Sequence, residues 1–259
     1  MAKKTVKKII KKTNSNSRKD FAKQIIESCL KMKADGVNQG TAGNISVRYK
    51  DGMLITPSGM PYEIMTTDDI VFVDSNGEPE KNKIPSSEWR FHLSILKDNP
   101  NFNAVIHNHA VYSSMVSILN IDYIPAIHYM VGVAGGNKIP CAKYATYGTQ
   151  ELCDNISSAM KGYKACILNN HGLVAADENL QKAYHVMMEV ENLARLYLSS
   201  EHILLVILII SSSSSTTSII AILKGRFPSV FKILFLSFKA TTSKPAIINI
   251  DIMLSLIFE

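Results

Sequence analysis

Four residues scattered through this chain have the types that hold a divalent cation: Glu88 in Pro85-Ser86-Ser87-Glu88, His107 and His109 in a His-Asn-His run, and His171 in Asn169-Asn170-His171-Gly172. Three imidazoles and one carboxylate are what a catalytic zinc takes from a protein, and the carboxylate is the natural donor to yield to a substrate. In a strand side chains repeat every second residue, so His107 and His109 would point to one face and converge on one ion. The competing reading of a lone His-x-His is a pair of packing histidines. Glu88 also has a plain alternative, a carboxylate favoured at a helix start by the helix dipole. His92, four residues on and on the same expected helix face, stays open as a further imidazole. His128, His185 and His202 read as surface or packing residues.

Three short segments suit a phosphate: Gly43-Asn44, Ser58-Gly59 in Thr56-Pro57-Ser58-Gly59, and Ser86-Ser87. Each offers small residues, hydroxyls or an amide, and open backbone N–H groups, the last at a helix start where the dipole also favours an anion. Singly, each is equally a turn or a cap. Together with a cation they point to a phosphorylated substrate.

The elements that must position these residues are legible as periodicities. Apolar residues from Phe21 to Met32 recur at helical spacing within 20–37 and stop at Gly36. A glycine loop over 40–44 runs into an alternating strand at 45–49, and Asp51-Gly52 turns the chain into a hairpin partner at 53–56. A short strand at 70–74, a helix over 87–97 and a strand at 104–109 follow. Then come a helix near 111–119, extended segments near 126–133, a helix over 149–160, strands at 165–168 and 173–176, and a long helix over 178–199. Strands joined both by tight turns and by helices predict an α/β fold with one mixed sheet covered by helices.

With 259 residues, 46% of them apolar, the chain can fill one large core or two small ones. Its net charge of +6 misleads, because residues 1–19 hold eight Lys or Arg and no acid. Residues 20–202 hold 15 basic against 20 acidic residues, so the folded part is acidic and no nucleic-acid face is expected. The leader 1–19, too charged and polar to bury itself, reads as disordered, and its preference for Lys over Arg speaks against a transit peptide. Cys29, Cys141, Cys153 and Cys166 have no Cys-x-x-Cys spacing, which predicts core thiols in a reducing cytoplasm. Beyond His202 the composition changes: Ile203 to Ile210 run unbroken, five serines follow, and all ten tyrosines lie earlier. That run is far short of the roughly 20 residues needed to span a bilayer, so no membrane partner is expected. Residues 203–259 therefore read as a tail not built to finish the domain.

The segments GTAGNISVRY, DGMLITPSGMPYE, IPSSEWRFH, AVIHNHAVYSSMVSILN, IPAIHYMVGVAGGNKIPCAKYATYGTQEL and NNHGLVA resemble the class II aldolase and adducin-like family, continuously from about residue 20 to residue 200. The resemblance implies a three-layer α/β/α fold with a central, largely antiparallel sheet, assembled as a homotetramer with sites at subunit junctions. It implies one zinc per subunit on His107, His109 and His171, with Glu88 as the displaceable fourth ligand and His92 excluded. It places the substrate phosphate among Gly43, Asn44, Ser58, Gly59, Ser86 and Ser87, and matches Tyr129 to a tyrosine that reaches the aldehyde oxygen from a neighbouring subunit.

The implied activity is reversible cleavage of L-fuculose 1-phosphate to dihydroxyacetone phosphate and L-lactaldehyde through a zinc-stabilised enediolate. Substrate would displace Glu88 from the metal, and the freed carboxylate would carry the proton at the dihydroxyacetone phosphate carbon. Ribulose-phosphate 4-epimerases resemble these aldolases and share the three histidines, with Asp expected where this chain has Glu88; the longer carboxylate favours the aldolase. Adducin-like relatives keep the fold without the metal set. The resemblance ends after residue 202, where the family's C-terminal segment supplies a further tyrosine that this chain lacks. Two expectations follow: an aldolase weakened in closing over its substrate, or an idle oligomeric scaffold whose apolar tail, including 203–210 and 231–238, binds a partner or a membrane surface.

Overall fold

Ser17 is the first of the described residues. Its side chain accepts from the backbone N–H of Asp20, whose carboxylate takes the Ser17 N–H in return, a capping box that starts helix α1 (Arg18–Ala34) two residues earlier than the apolar spacing predicts. Arg18, counted with the basic leader in the sequence, belongs to this helix and pairs with Glu80, its second amino group also donating to the carbonyl of Ile70. The computed structural model describes residues 17–211, with side chains to residue 201. The lysine-rich residues 1–16 and the tail from 212 lie outside the described residues.

The strands are β1 (Asn44–Tyr49), β2 (Gly52–Ile55), β3 (Val71–Val73), β4 (Ala104–Asn108), β5 (Tyr123–Ile124), β6 (Ile139–Ala142), β7 (Ala165–Leu168) and β8 (Gly172–Asp177). They form one eight-stranded sheet in the order β3-β2-β1-β4-β8-β7-β6-β5. Every neighbouring pair is antiparallel except β6 with β7. The expected mixed, largely antiparallel sheet is what the chain builds.

Alternation along the strands creates two cores, as a sheet covered on both faces requires. Ile45, Val47, Leu54 and Ile106 face α1 and α5 (Leu180–Ser211), together with Val116 of α3 (Val111–Ser117). Met53, Ile55, Val105 and Val174 face the opposite way, onto Phe91, Ile95 and Leu96 of α2 (Trp89–Asp98) and Leu152 and Ile156 of α4 (Gln150–Ala159). Three layers result, helices on both sides of the sheet.

Several elements differ from the sequence expectation. Within the stretch 126–133, expected to be extended, His128 is extended but Tyr129–Ala134 form a 3-10 helix between the short strands β5 and β6. Helix α2 starts at Trp89, so Glu88 is its N-cap residue rather than its first turn, and its side chain makes no capping hydrogen bond. Helix α5 continues past 199 to Ser211. No helix among the described residues is long and apolar enough to cross a membrane. All four cysteines are free, and burial pushes the Cys153 thiol up to about 11 and that of Cys141 to about 12, as inert core groups.

Candidate active site

Three chain segments meet at one end of β4. His107 is the fourth residue of the strand, fully buried on the α2 face, where Phe91 meets its ring edge-on at 5.5 Å. His109 lies one residue past the strand's end, yet its Nε2 comes within 3.1 Å of His107 Nε2. His171 is carried by the loop between β7 and β8, where Asn170 adopts a left-handed conformation (φ +57°) and the His171 N–H donates to the Leu168 carbonyl. The next residue must be glycine. A Cβ on Gly172 would lie 2.4 Å from the Asn108 carbonyl oxygen, so only glycine lets this loop close against β4 beside His109.

The three rings pack in T-shaped pairs with centroids 4.8–5.0 Å apart, and one ring nitrogen of each lies within 4.8 Å of the others. Glu88 closes the group, its Oε2 lying 3.2 Å from His107 Nε2 and its Oε1 3.1 Å from His171 Nε2. Nitrogens and oxygens bound at 2.0–2.1 Å to one tetrahedral ion stand about 3.3 Å apart. The Glu88 separations are of that size. His107 Nδ1 lies 2.9 Å from the Leu173 carbonyl, so it carries the ring proton and leaves the Nε2 lone pair facing the cluster, the arrangement usual in metal-ligating histidines. Glu88 Oε1 is buried without a hydrogen-bond donor of good geometry. This donor set fits a divalent cation.

The electrostatics agree. Burial works to raise the Glu88 carboxyl, but the neighbouring His107 and His171 outweigh it and hold the group well below the usual carboxylate range. Burial, reinforced by His107 and His171, lowers the His109 imidazole to about 4 and keeps it neutral. An ionised carboxylate and a neutral imidazole are the forms that ligate.

The cluster opens on a cleft of about 360 Å³. Glu88, His109 and His171 line it, together with all six residues expected to take a phosphate: Gly43, Asn44, Ser58, Gly59, Ser86 and Ser87. The segments 56–59 and 84–88 are stitched together by Ser58 N–H to the Ile84 carbonyl and Ser86 N–H to the Thr56 carbonyl. Tyr62 holds the glycine loop, donating to the Ala42 carbonyl at 2.7 Å and accepting the Asn38 amide at 2.8 Å. Among the described residues the hydroxyls of Ser58 and Ser87 and the N–H groups of Gly59 and Ser87 make no hydrogen bond within the protein. No lysine or arginine lines the cleft, so an anion there would be held by neutral donors.

Two candidates behave otherwise. Tyr129 is 83% exposed, lies with its ring 4.6 Å from that of His128, and does not line the cleft. His92 is not a ligand. Since Glu88 precedes the helix, the four-residue spacing does not bring the two side chains together, and both ring nitrogens of His92 are engaged, Nδ1 with Ser46 Oγ at 2.8 Å and Nε2 with Asn44 Oδ1 at 2.5 Å. Sequence reasoning missed Tyr144, Tyr147, Thr41 and Asn170, all on the cleft wall.

Fold and site together define a cleft that joins a cluster of metal-type donors to a wall of small polar residues, on a three-layer α/β/α scaffold. Residues 23–198 match the family model described as class II aldolase and adducin N-terminal domain, and the chain belongs to that family. It is 57% identical over 183 residues to an L-fuculose phosphate aldolase of Escherichia coli K12, covering 71% of this chain and 85% of the relative. A 5-methylthioribulose-1-phosphate/5-deoxyribulose-1-phosphate aldolase of Escherichia coli O45:K1 is 52% identical over 178 residues, covering 69% of this chain and 83% of the relative. Among solved structures, an L-fuculose 1-phosphate aldolase superimposes with a TM-score of 0.69 at 37% identity, covering 73% of this chain and 91% of that one.

Proposed function

We propose that this chain is a zinc-dependent aldolase that reversibly cleaves L-fuculose 1-phosphate to dihydroxyacetone phosphate and L-lactaldehyde. The observation that carries the reading is the meeting of Glu88 with His107, His109 and His171 in a cleft whose wall offers uncommitted neutral donors for a phosphate. His107, His109, His171 and Glu88 would hold the cation, which supplies a Lewis acid at the oxygens where enediolate charge develops. Gly43, Asn44, Ser58, Gly59, Ser86 and Ser87 bind the phosphate and fix the ketose in the cleft. Glu88, held ionised, takes the proton from the carbon of dihydroxyacetone phosphate in synthesis and returns it in cleavage.

Tyr129 exchanges a proton with the aldehyde oxygen of a neighbouring copy's substrate in a homotetramer; its exposure, and its absence from its own cleft, support that division of labour. The free thiols suit the cytoplasm.

A second ketose is favoured by a specific observation, the 52% identity to an aldolase named for 5-methylthioribulose and 5-deoxyribulose 1-phosphates. The test is kcat/KM for L-fuculose 1-phosphate and 5-deoxyribulose 1-phosphate with the purified full chain. A higher value for L-fuculose 1-phosphate is expected. The reverse order reassigns the ketose, whereas no cleavage of either, with 4-epimerisation of ribulose 5-phosphate, would overturn the aldolase reading.

A further inference from the structure

His92 is a fully buried imidazole that takes no part in the proposed ligand set, yet it lies in a chain of hydrogen bonds that ends on it. Ser46 Oγ meets His92 Nδ1 at 2.8 Å, His92 Nε2 meets Asn44 Oδ1 at 2.5 Å, and Asn44 Nδ2 donates to Glu88 Oε2 at 2.9 Å. Ser46, His92 and Asn44 are 0%, 0% and 4% exposed, so water does not compete for these groups. Phe91 stacks on the His92 ring at 4.7 Å and holds its plane.

The polarity of this chain is fixed from its far end. A carboxylate only accepts, so Asn44 must turn its NH2 to Glu88 and its carbonyl to His92. His92 then carries its proton on Nε2, and Ser46 donates to Nδ1. With the other tautomer, the Asn44 amide would turn over and set its carbonyl oxygen against the carboxylate. The Glu88 carboxylate thus sets the orientation of the amide, and His92, donating Nε2–H to Asn44 Oδ1, holds the buried amide in it.

We propose that His92 is a positioning residue that, through Ser46 and Asn44, orients the Glu88 carboxylate toward the histidine cluster. Asn44 is also one of the residues lining the cleft, which sets this chain beside the proposed phosphate loops. The inference rests on the cation reading of the site and is independent of which ketose is cleaved.

The experiment titrates the metal-free full chain with cobalt(II), whose visible spectrum reports the ligand set, in the parent and in His92→Phe, His92→Gln, Asn44→Ala and the His92→Phe/Asn44→Ala double variant. Loss of a residue that orients a ligand costs about 10- to 100-fold in metal affinity. We expect that loss in His92→Phe, with an altered spectrum that Asn44→Ala shares, and no further loss in the double variant. His92→Gln, which keeps an N–H donor for Asn44, recovers most of the affinity. Ser46→Ala, a milder cut at the outer end, gives a smaller change of the same kind and serves where His92→Phe fails to fold. Parent-like affinity and spectrum in a folded His92→Phe, or additive losses in the double variant, would overturn the role. A parent chain that binds no cobalt would overturn it together with the cation reading. A parent that binds cobalt but cleaves no ketose 1-phosphate removes only the proposed reaction.

Discussion

Gly43 and Gly59 both stand on the cleft wall with positive φ, at +84° and +65°, yet their surroundings predict different responses to one added methyl group. A left-handed conformation costs a residue with a Cβ roughly 1–2 kcal/mol in either place. At Gly59 that is nearly all, because a Cβ there meets nothing within 4 Å. At Gly43 the Cβ would lie 2.8 Å from the His107 carbonyl oxygen and 2.9 Å from Asn38 Oδ1. Backbone cannot rotate away as a side-chain end can, and overpacking of this kind adds roughly 1–3 kcal/mol.

The loss for Gly43→Ala is therefore about 3 kcal/mol, against about 1 kcal/mol for Gly59→Ala. For a domain of this size these correspond to melting shifts of roughly 6–12 °C and 2–4 °C. The strain falls where β1 pairs with β4, at the register Asn44↔His107, so Gly43→Ala also displaces a proposed ligand and a proposed phosphate contact together. Urea titration and thermal melting of the metal-free chain, alongside KM for the ketose phosphate, measure both effects. Equal losses in the two variants, or a Gly43→Ala variant as stable as the parent, would refute the contact argument.

Further outcomes follow from other residues. Glu88→Gln keeps the shape of the side chain but cannot accept a proton, so turnover should fall about 10²- to 10⁴-fold while inorganic phosphate still competes as in the parent; near-normal turnover would place the proton elsewhere. Burial, helped by His107 and opposed by Glu88, lowers His92 from 6.5 to about 3, so the unfolded chain takes up a proton that the folded chain refuses. Stability is full above pH 6.5 and is lost as pH falls toward 3, by as much as about 5 kcal/mol. Urea midpoints of the metal-free chain across that range should slope more steeply than those of His92→Phe, and parallel slopes would contradict the assignment. Arg18→Ala should cost about 1 kcal/mol, because the guanidinium holds both Glu80 and the Ile70 carbonyl, whereas Lys19→Ala should change urea stability by under about 0.5 kcal/mol.

Much of this architecture was legible because periodicity carries it. The β1–β2 hairpin, the strand Ala165–Leu168 and helix α4 fall where alternation and helical spacing put them, since each buries one face against a core. What was not legible depends on partners distant in sequence. Tyr123–Ile124 is too short for any period to register, and β6 contains Pro140, yet both are held by pairing with neighbouring strands. The apolar, β-favouring run Tyr129–Ala134 reads as extended but closes into a 3-10 helix capped by Gly135.

The metal-type donors stood out by residue type alone, but their convergence depends on the β4–β8 pairing that sets Leu173 opposite Asn108. His92 misled because the helix was read from Ser87 instead of Trp89, which put Glu88 on its face. Asn44 and Ser46 were two residues apart on one face of β1, the signal that could have revealed His92's partners.

The central claim, cation-dependent carbon–carbon cleavage at the Glu88–His107–His109–His171 cluster, is tested most directly by one titration. Release of dihydroxyacetone phosphate from L-fuculose 1-phosphate is followed while the full chain is stripped with a chelator and then resupplied with zinc. Turnover should vanish with the metal and return in proportion to zinc, reaching its plateau at one ion per subunit. Turnover that survives complete removal of the metal would contradict the claim.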